Sequence, residues 1–397
     1  MTVPRLPAAP WTQRATLAAL VTALDPAGTG ECRWVGGAVR DTVAGRPVAD
    51  IDMATRLLPE SVIARLTEAG IRSVPTGLAH GTVTAVLTDG PVEITTLRRD
   101  VATDGRHAVI AWSDDWREDA ARRDFTINAL YADPKTLDIS DYFGGLADLA
   151  ARRVRFIGEA EARIREDYLR ILRYFRFQAR FGTDGGDPAA EMACAALAPA
   201  LKGLSRERVS SELLLLLAHS DPAPTLARMA ALGVLAHVLP EADPAALPAL
   251  IATETRERVP PDALRRLAAL LPAEPVLAET IAARLRLSNA HKARLASAAA
   301  RLRPGPSDPR ALAYRLGWEA ARDRLLLTGG SLAALADWAI PSFPLKGGAI
   351  VARGVTAGPR VAKILRQVEQ RWIDESFPDA DRVEALLDSV MAEGEAG

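Results

Sequence analysis

The hydrophobic pattern of this 397-residue chain changes period once, near Ala150, and that change dictates an architecture in two styles. Before it, short β-branched and apolar runs alternate with turn residues. After it, strand signals nearly vanish and apolar positions recur at helical spacing. Cys32–Val35, Asp50–Ala54, Ile71–Val74, Val83–Leu87, Val92–Leu97 and Ile127–Tyr131 read as strands, while residues 11–24 and Glu60–Ala69 read as helices. Thr88-Asp89-Gly90-Pro91 carries the Asp-Gly turn signal, so the runs on either side of it form a hairpin. Beyond Ala150, breaks at Gly182–Pro188, Gly203, Pro222, Pro240, Pro260-Pro261, Pro304–Pro309 and Gly329-Gly330 mark a string of short helices with no fixed-period repeat. The pattern shifts again at Pro341–Gly348. Helices follow over Arg360–Trp372, with Pro359 in the first turn, and over Asp379–Met391. The expected class is α+β: a small N-terminal mixed sheet with helices over residues 1–150, then all-helical segments at 151–220, 221–340 and 341–397.

Composition narrows the function classes. A 49% hydrophobic, 25% charged chain is globular, and its length exceeds what one typical core serves. The net charge of −1 supplies no global basic field, so any nucleic-acid contact must use local patches. The 44 arginines against 5 lysines carry little weight where they are scattered. Cys32 and Cys194 are too few for a disulfide framework or a zinc site, and the five histidines show neither metal-ligand spacing nor a His-Asp dipeptide. No signal peptide or membrane-length apolar run is present, so the expectation is a cytoplasmic chain with no membrane role and no implied protein partner.

The chemistry concentrates in two places. Gly36-Gly37 ends an apolar run and precedes a helix from about Ala38, whose first N–H groups could hold phosphate. With twelve residues between, Asp50 and Asp52 follow, spaced to share one face of a strand and to hold divalent cations together. Either feature alone is ordinarily a solvated turn; in this order, flanked by Val35, Ile51 and Met53, they point to metal-dependent nucleotidyl transfer. Glu93, between Val92 and Ile94, is either a solvent-facing strand residue or a third carboxylate at the metals.

Further on stand Arg122-Arg123-Asp124-Phe125-Thr126-Ile127-Asn128-Ala129-Leu130 and the segment Glu166–Phe177. On one helix, Asp167 and Arg170 would be neighbours at i,i+3, with Arg173 and Arg176 continuing the row. Residues 152–180 hold nine arginines against four acids, a local basic stripe. Read blandly, this is an amphipathic helix with an internal ion pair. Read chemically, a carboxylate can accept from an exocyclic amine while a guanidinium donates to ring acceptors, a pattern that suits CTP and ATP and rejects UTP and GTP. Arg173 and Arg176 would then meet triphosphate or primer backbone.

These strings resemble the class II CCA-adding tRNA nucleotidyltransferases and bacterial poly(A) polymerases, within the DNA polymerase beta nucleotidyltransferase superfamily. The resemblance is strong over residues 30–215, with Ser205-Arg206-Glu207-Arg208 fitting the family's helical body, and less specific at Phe343–Gly348 and Ala357-Gly358-Pro359. It implies a catalytic head at 1–150, a neck at 151–220 that recognises the base, a body at 221–340 and a tRNA-binding tail at 341–397. It also implies two Mg2+ ions at Asp50 and Asp52, with Glu93 beside them as a catalytic carboxylate. Gly36, Gly37, Arg40, Arg123, Asp167, Arg170, Arg173 and Arg176 are the implied nucleotide contacts. Residues 100–115, with Asp104-Gly105-Arg106, resemble the family's flexible loop. The implied activity is CCA addition to tRNA 3′ ends from CTP and ATP, with poly(A) synthesis, partial CC- or A-addition, a catalytically silent RNA-binding protein, or a small-molecule nucleotidyltransferase as alternatives.

Overall fold

Alternating apolar residues build one seven-stranded sheet in the first half of the chain. The structure is a computed structural model that describes residues 3–103, 108–183, 185–303, 305 and 308–395. Its strands are β1 (Cys32–Val35), β2 (Ile51–Thr55), β3 (Ser73–Gly77), β4 (Thr82–Leu87), β5 (Gly90–Thr96), β8 (Leu130–Ala132) and β9 (Ile139–Asp141). They lie in the order β3-β4-β5-β2-β1-β8-β9. Only β2 and β5 pair in parallel, and the expected β4–β5 hairpin forms with Leu87 opposite Gly90. A separate two-stranded ribbon, β6 (Arg98–Thr103) with β7 (Ala108–Trp112), was not expected from the sequence. The Asp104-Gly105-Arg106 segment lies outside the described residues.

Helices α1 (Ala15–Leu24), α2 (Gly37–Val43) and α3 (Pro59–Glu68) cover one face of the sheet. There Leu17, Leu20, Leu24, Val39, Val62 and Leu66 pack on Trp34, Met53, Val83 and Ile94. Three expected elements differ, the strand read over Ile71–Val74 running instead over Ser73–Gly77 as β3. The helix read over residues 11–24 is a 3-10 turn at Pro10–Gln13 followed by α1, because Arg14 between them is extended. The strand read over Ile127–Tyr131 starts only at Leu130. Residues Thr126–Asn128 form a 3-10 turn, held by the Thr126 hydroxyl on Asp148 (2.6 Å) and the Asn128 amide on Asp124 (2.9 Å).

The chain divides into two compact units, Met1–Pro240 and Glu241–Gly397. The first continues through α4 (Trp116–Ala121), α5 (Gly145–Ala150), α6 (Ala160–Glu166), α7 (Leu169–Phe181), α8 (Pro188–Leu197), α9 (Arg206–Leu217), α10 (Ala223–Ala231) and α11 (Val234–Val238). The second is helical among its described residues: α12 (Leu247–Arg256), α13 (Ala263–Leu270), α14 (Pro275–Arg284), α15 (Asn289–Ala299), α16 (Pro309–Leu316), α17 (Trp318–Leu327), α18 (Gly347–Ala352), α19 (Pro359–Asp374) and α20 (Ala380–Glu395). No described helix is long and apolar enough to cross a membrane.

Candidate active site

Alternation along the strands decides where the acids point. Ile51 and Met53 of β2 turn into the helix-covered core, so Asp52 between them faces the other way. On β5, Val92 and Ile94 enter the same core, which leaves Glu93 on the face of Asp52, and the parallel register sets the two side by side. Asp50 stands one residue before β2, outside the strand in which it was expected. It is exposed, yet its charge still reaches Asp52. Burial first, then the charge of Glu93, hold the Asp52 carboxyl above the ordinary aspartate range; Arg123 opposes them and Asp50 adds to them. Crowded hard oxygens of this kind suit a divalent cation. Among the described residues no group of three such side chains closes into a cage. Asp52 and Glu93, adjacent in the parallel register, are hard oxygen ligands of the kind a divalent cation takes.

Asp52 lines a cleft of about 440 Å3 together with Gly36, Gly37, Arg40, Arg123, Asp167 and Arg170. Gly36 has φ 66°, ψ −122°, a conformation that glycine adopts without a Cβ penalty, and it starts α2. A Cβ there would stand 3.6 Å from Arg123 Nη1 and 4.0 Å from Asp52 Oδ2, at the throat of the cleft. Arg40 is 5% exposed. Its Nε donates to Asp41 (2.9 Å), another guanidinium nitrogen donates to Asn128, and the group lies 4.5 Å from the centre of the Phe181 ring. Arg123 is equally fixed: Nε donates to the Tyr131 hydroxyl (3.0 Å) and Nη2 to Asp119 (3.1 Å), while the Tyr131 hydroxyl donates to the same carboxylate (2.6 Å). Burial would raise the Asp119 carboxyl, but Arg123 and Arg122 pull it down to about 2.

The base-reading pair is built differently from the expectation. Asp167 and Arg170 do not share a helix, because Asp167 is extended (φ −155°, ψ 105°) between α6 and α7. Its Oδ1 accepts from Leu169 N (3.1 Å) at the start of α7, and its Oδ2 accepts from Arg208 of α9 (2.6 Å). Arg170 instead pairs with Glu166 (2.6 Å) and donates to the Arg163 carbonyl (2.9 Å). Arg163 in turn donates to the Arg122 and Arg123 carbonyls (2.6 and 2.8 Å), tying α6 to the string at 122–130. Arg173 reaches the cleft but is held by Asp124 (2.7 Å) and Glu212 (3.4 Å). Arg176 lies on Glu212 (2.6 Å) and over the Phe177 ring, and it does not line the cleft.

Three polar cleft residues escaped the sequence reading as site residues: Asp124, Asn128 and Arg208. The first two sit inside the string already singled out. Burial would raise the Asp124 carboxyl, but Arg173 and the hydrogen bonds from Asn128 and Phe125 N bring it down to about 2. Arg208 meets Asp167 across forty-one positions of sequence, and nothing local announces that contact. Phe125 seats the string by packing against Phe156 (4.8 Å) and against Phe177 of α7 (5.2 Å).

Two families match this chain: the Poly A polymerase head domain over residues 32–155, and the probable RNA and SrmB- binding site of polymerase A over residues 187–246. The CCA tRNA nucleotidyltransferase 1, mitochondrial, of Mus musculus is 35% identical over 367 residues, covering 86% of this chain and 82% of the mouse protein. The Homo sapiens and Danio rerio proteins of the same name are 48% and 47% identical over 186 and 188 residues. Those alignments take 46% of this chain and 43% of each relative, so the chain spans less than half the length of these two. Among solved structures, the Bacillus stearothermophilus CCA-adding enzyme in complex with CTP superposes with a TM-score of 0.75 at 26% identity, over 98% of this chain and 100% of the other. The Thermotoga maritima CCA-adding enzyme complexed with tRNA shares the fold at a TM-score of 0.71 and 19% identity, over 99% and 100%.

Proposed function

Because the chain belongs to the family of the CCA-adding tRNA nucleotidyltransferases, we propose that it restores CCA to tRNA 3′ ends, taking CMP twice from CTP and AMP once from ATP and releasing pyrophosphate. The observation that carries this reading is one cleft shared by Asp52 of β2 and by Asp167 and Arg170. Enzymes of this family use a divalent metal; two Mg2+ ions at Asp50 and Asp52 is our reading. When bound there, the metal would activate the tRNA 3′-hydroxyl and offset charge on the departing pyrophosphate.

In this scheme the hydroxyl oxygen attacks the α-phosphorus as the bond to the bridging oxygen breaks. Glu93 supports Asp52 from the neighbouring strand. Gly36, Gly37 and Arg40 receive the triphosphate, and Arg123 meets the ribose or the phosphates. Asp167 accepts from the exocyclic amine of cytosine or adenine and Arg170 donates to the ring acceptor beside it, so protein groups take the place of a template. The ion pairs of Arg173 and Arg176 suit them to bracing Asp124 and Glu212 more than to holding phosphate. Acceptor-stem binding would rest on phosphate contacts and A-form shape. We keep head, neck, body and tail at 1–150, 151–220, 221–340 and 341–397, and a cytoplasmic location, as parts of the same proposal.

Poly(A) synthesis is the competing reading, favoured by the description of the matching head-domain family. The metal chemistry common to both is tested by Asp50→Ala and Asp52→Ala in the full chain. Each should abolish nucleotide transfer while gel-shift binding of tRNA persists; retained transfer would refute the assignment.

A further inference from the structure

Within the same unit, a second cavity of about 290 Å3 lies at the far end of α7 from Arg170. Arg46, Arg152, Arg180 and Arg228 converge on it from the turn after α2, the turn after α5, the end of α7 and α10. Two of the four are committed: Arg180 pairs with Asp41 (2.9 Å) and Arg228 with Glu191. The other two are not matched by acids. Arg152 donates to the Gly182 carbonyl (2.8 Å), and Arg46 lies 5.0 Å from the centre of the Phe181 ring, with no carboxylate paired to either among the described residues. Asp221 also lines the cavity, but its Oδ1 accepts from Ala223 N (3.1 Å) at the start of α10.

Two side chains, half-buried His219 and buried Gln178, register the character of this space. Burial first, then the charges of Arg180, Arg176 and Arg46, depress the His219 imidazole to about 4. Gln178 lines the cavity and is 6% exposed. Its amide nitrogen donates to the Thr183 carbonyl, and its Oε1 is buried without a hydrogen-bond partner. A buried acceptor left in that state calls for a donor, and native structures rarely leave one unmade.

We propose that this cavity is a second ligand site, which takes a phosphate group bearing a hydroxyl. Arg46 and Arg152 bind the anionic oxygens with charge-assisted hydrogen bonds, and the hydroxyl donates to Gln178 Oε1. The pairing of cationic donors with a single buried acceptor separates hydrogen phosphate, which carries an O–H at neutral pH, from sulfate, which carries none. The same chemistry fits a free phosphate ion and a ribose-phosphate unit of RNA. Neither the metal acids nor the base-reading pair takes part, so the site stands or falls apart from the nucleotidyl-transfer reading.

Calorimetric titration of the full chain with inorganic phosphate in chelator, set against sulfate, tests the proposal. The expected result is a phosphate site that sulfate fills at least tenfold less well, and that Arg46→Glu and Arg152→Glu each weaken at least tenfold with unchanged thermal melting. Both residues are exposed, which favours folded variants, and Gln178→Leu should remove the preference for phosphate over sulfate while leaving anion binding. Competition by tRNA lacking its 3′ end would identify an RNA phosphodiester as the occupant; its failure to compete would identify a free ion. Phosphate binding that is absent in the parent chain, or identical in the parent and both arginine variants, overturns the proposal.

Discussion

Asp167 carries the choice of base in this account, and its carboxylate is pinned at both oxygens, by Leu169 N and by Arg208. A rotamer fixed in this way is what discrimination requires, since a loosely held acceptor would pair with more than one base edge. Arg208→Ala should therefore weaken selection without touching the acids at the metals. Misincorporation of UMP or GMP, measured as the ratio of kcat/KM values, should rise about tenfold, the worth of one lost charge-assisted bond of ~1.4 kcal/mol. An unchanged ratio would mean that Arg208 merely packs. At this scale much of the site was legible in sequence. Asp52 and Glu93 fall on one face because strand side chains alternate, and apolar neighbours on both strands announce which face. Asp167 and Arg170 were legible as residues but not as a geometry, because helical spacing assumed an unbroken helix where the backbone at Asp167 is extended.

Among elements, the decisive one is the stretch from α4 to β8. Asp119, 1% exposed, gathers Arg122, Arg123 and the Tyr131 hydroxyl, so it sets the guanidinium that faces the cleft. Removing one member of a buried pair strands the other charge, and Asp119→Ala should cost about 3 kcal/mol in chemical denaturation and raise the KM for nucleotide. Acid should produce a related loss in the parent chain. Asp119 and Asp124 each titrate at about 2 in the fold, below the ordinary value of about 3.9 in an unfolded chain. Their stabilisation is complete above pH ~4 and disappears as pH falls from there towards 2. The gap in stability between the parent and Asp119→Ala should accordingly narrow over that interval; a constant gap would contradict the assignment. The 3-10 turn at Thr126–Asn128 was illegible because its cause is tertiary, in Asp148 and Asp124. The β6–β7 ribbon falls in the stretch that reads, through the resemblance, as a flexible loop.

For the molecule as a whole, the change of hydrophobic period near Ala150 foretold a sheet followed by helices, because periodicity is a property of long segments and survives local error. It could not foretell how the helices are locked. In the second unit Glu254, 2% exposed, receives Arg265 (2.7 Å) and Arg266 (2.9 Å), and Asp323 takes Arg265 and Arg294 (3.2 and 2.7 Å). These charges look like surface residues in sequence, yet Glu254→Ala should destabilise that unit by about 3–5 kcal/mol in denaturant unfolding, while a polar surface change such as Glu279→Gln should not register. The net charge of −1 supplies no global basic field, and the basic stripe at 152–180 is largely paired with acids such as Glu166, Glu212 and Asp41, so the proposed tRNA binding would rest on arginines elsewhere. The central claim, that one cleft joins metal chemistry to a protein template for C and A, is tested most directly by extending tRNA stripped of its 3′ end with CTP and ATP and sequencing the products. The account predicts termini of C, C and A and no growth beyond them; runs of A, or no incorporation of C, would contradict it.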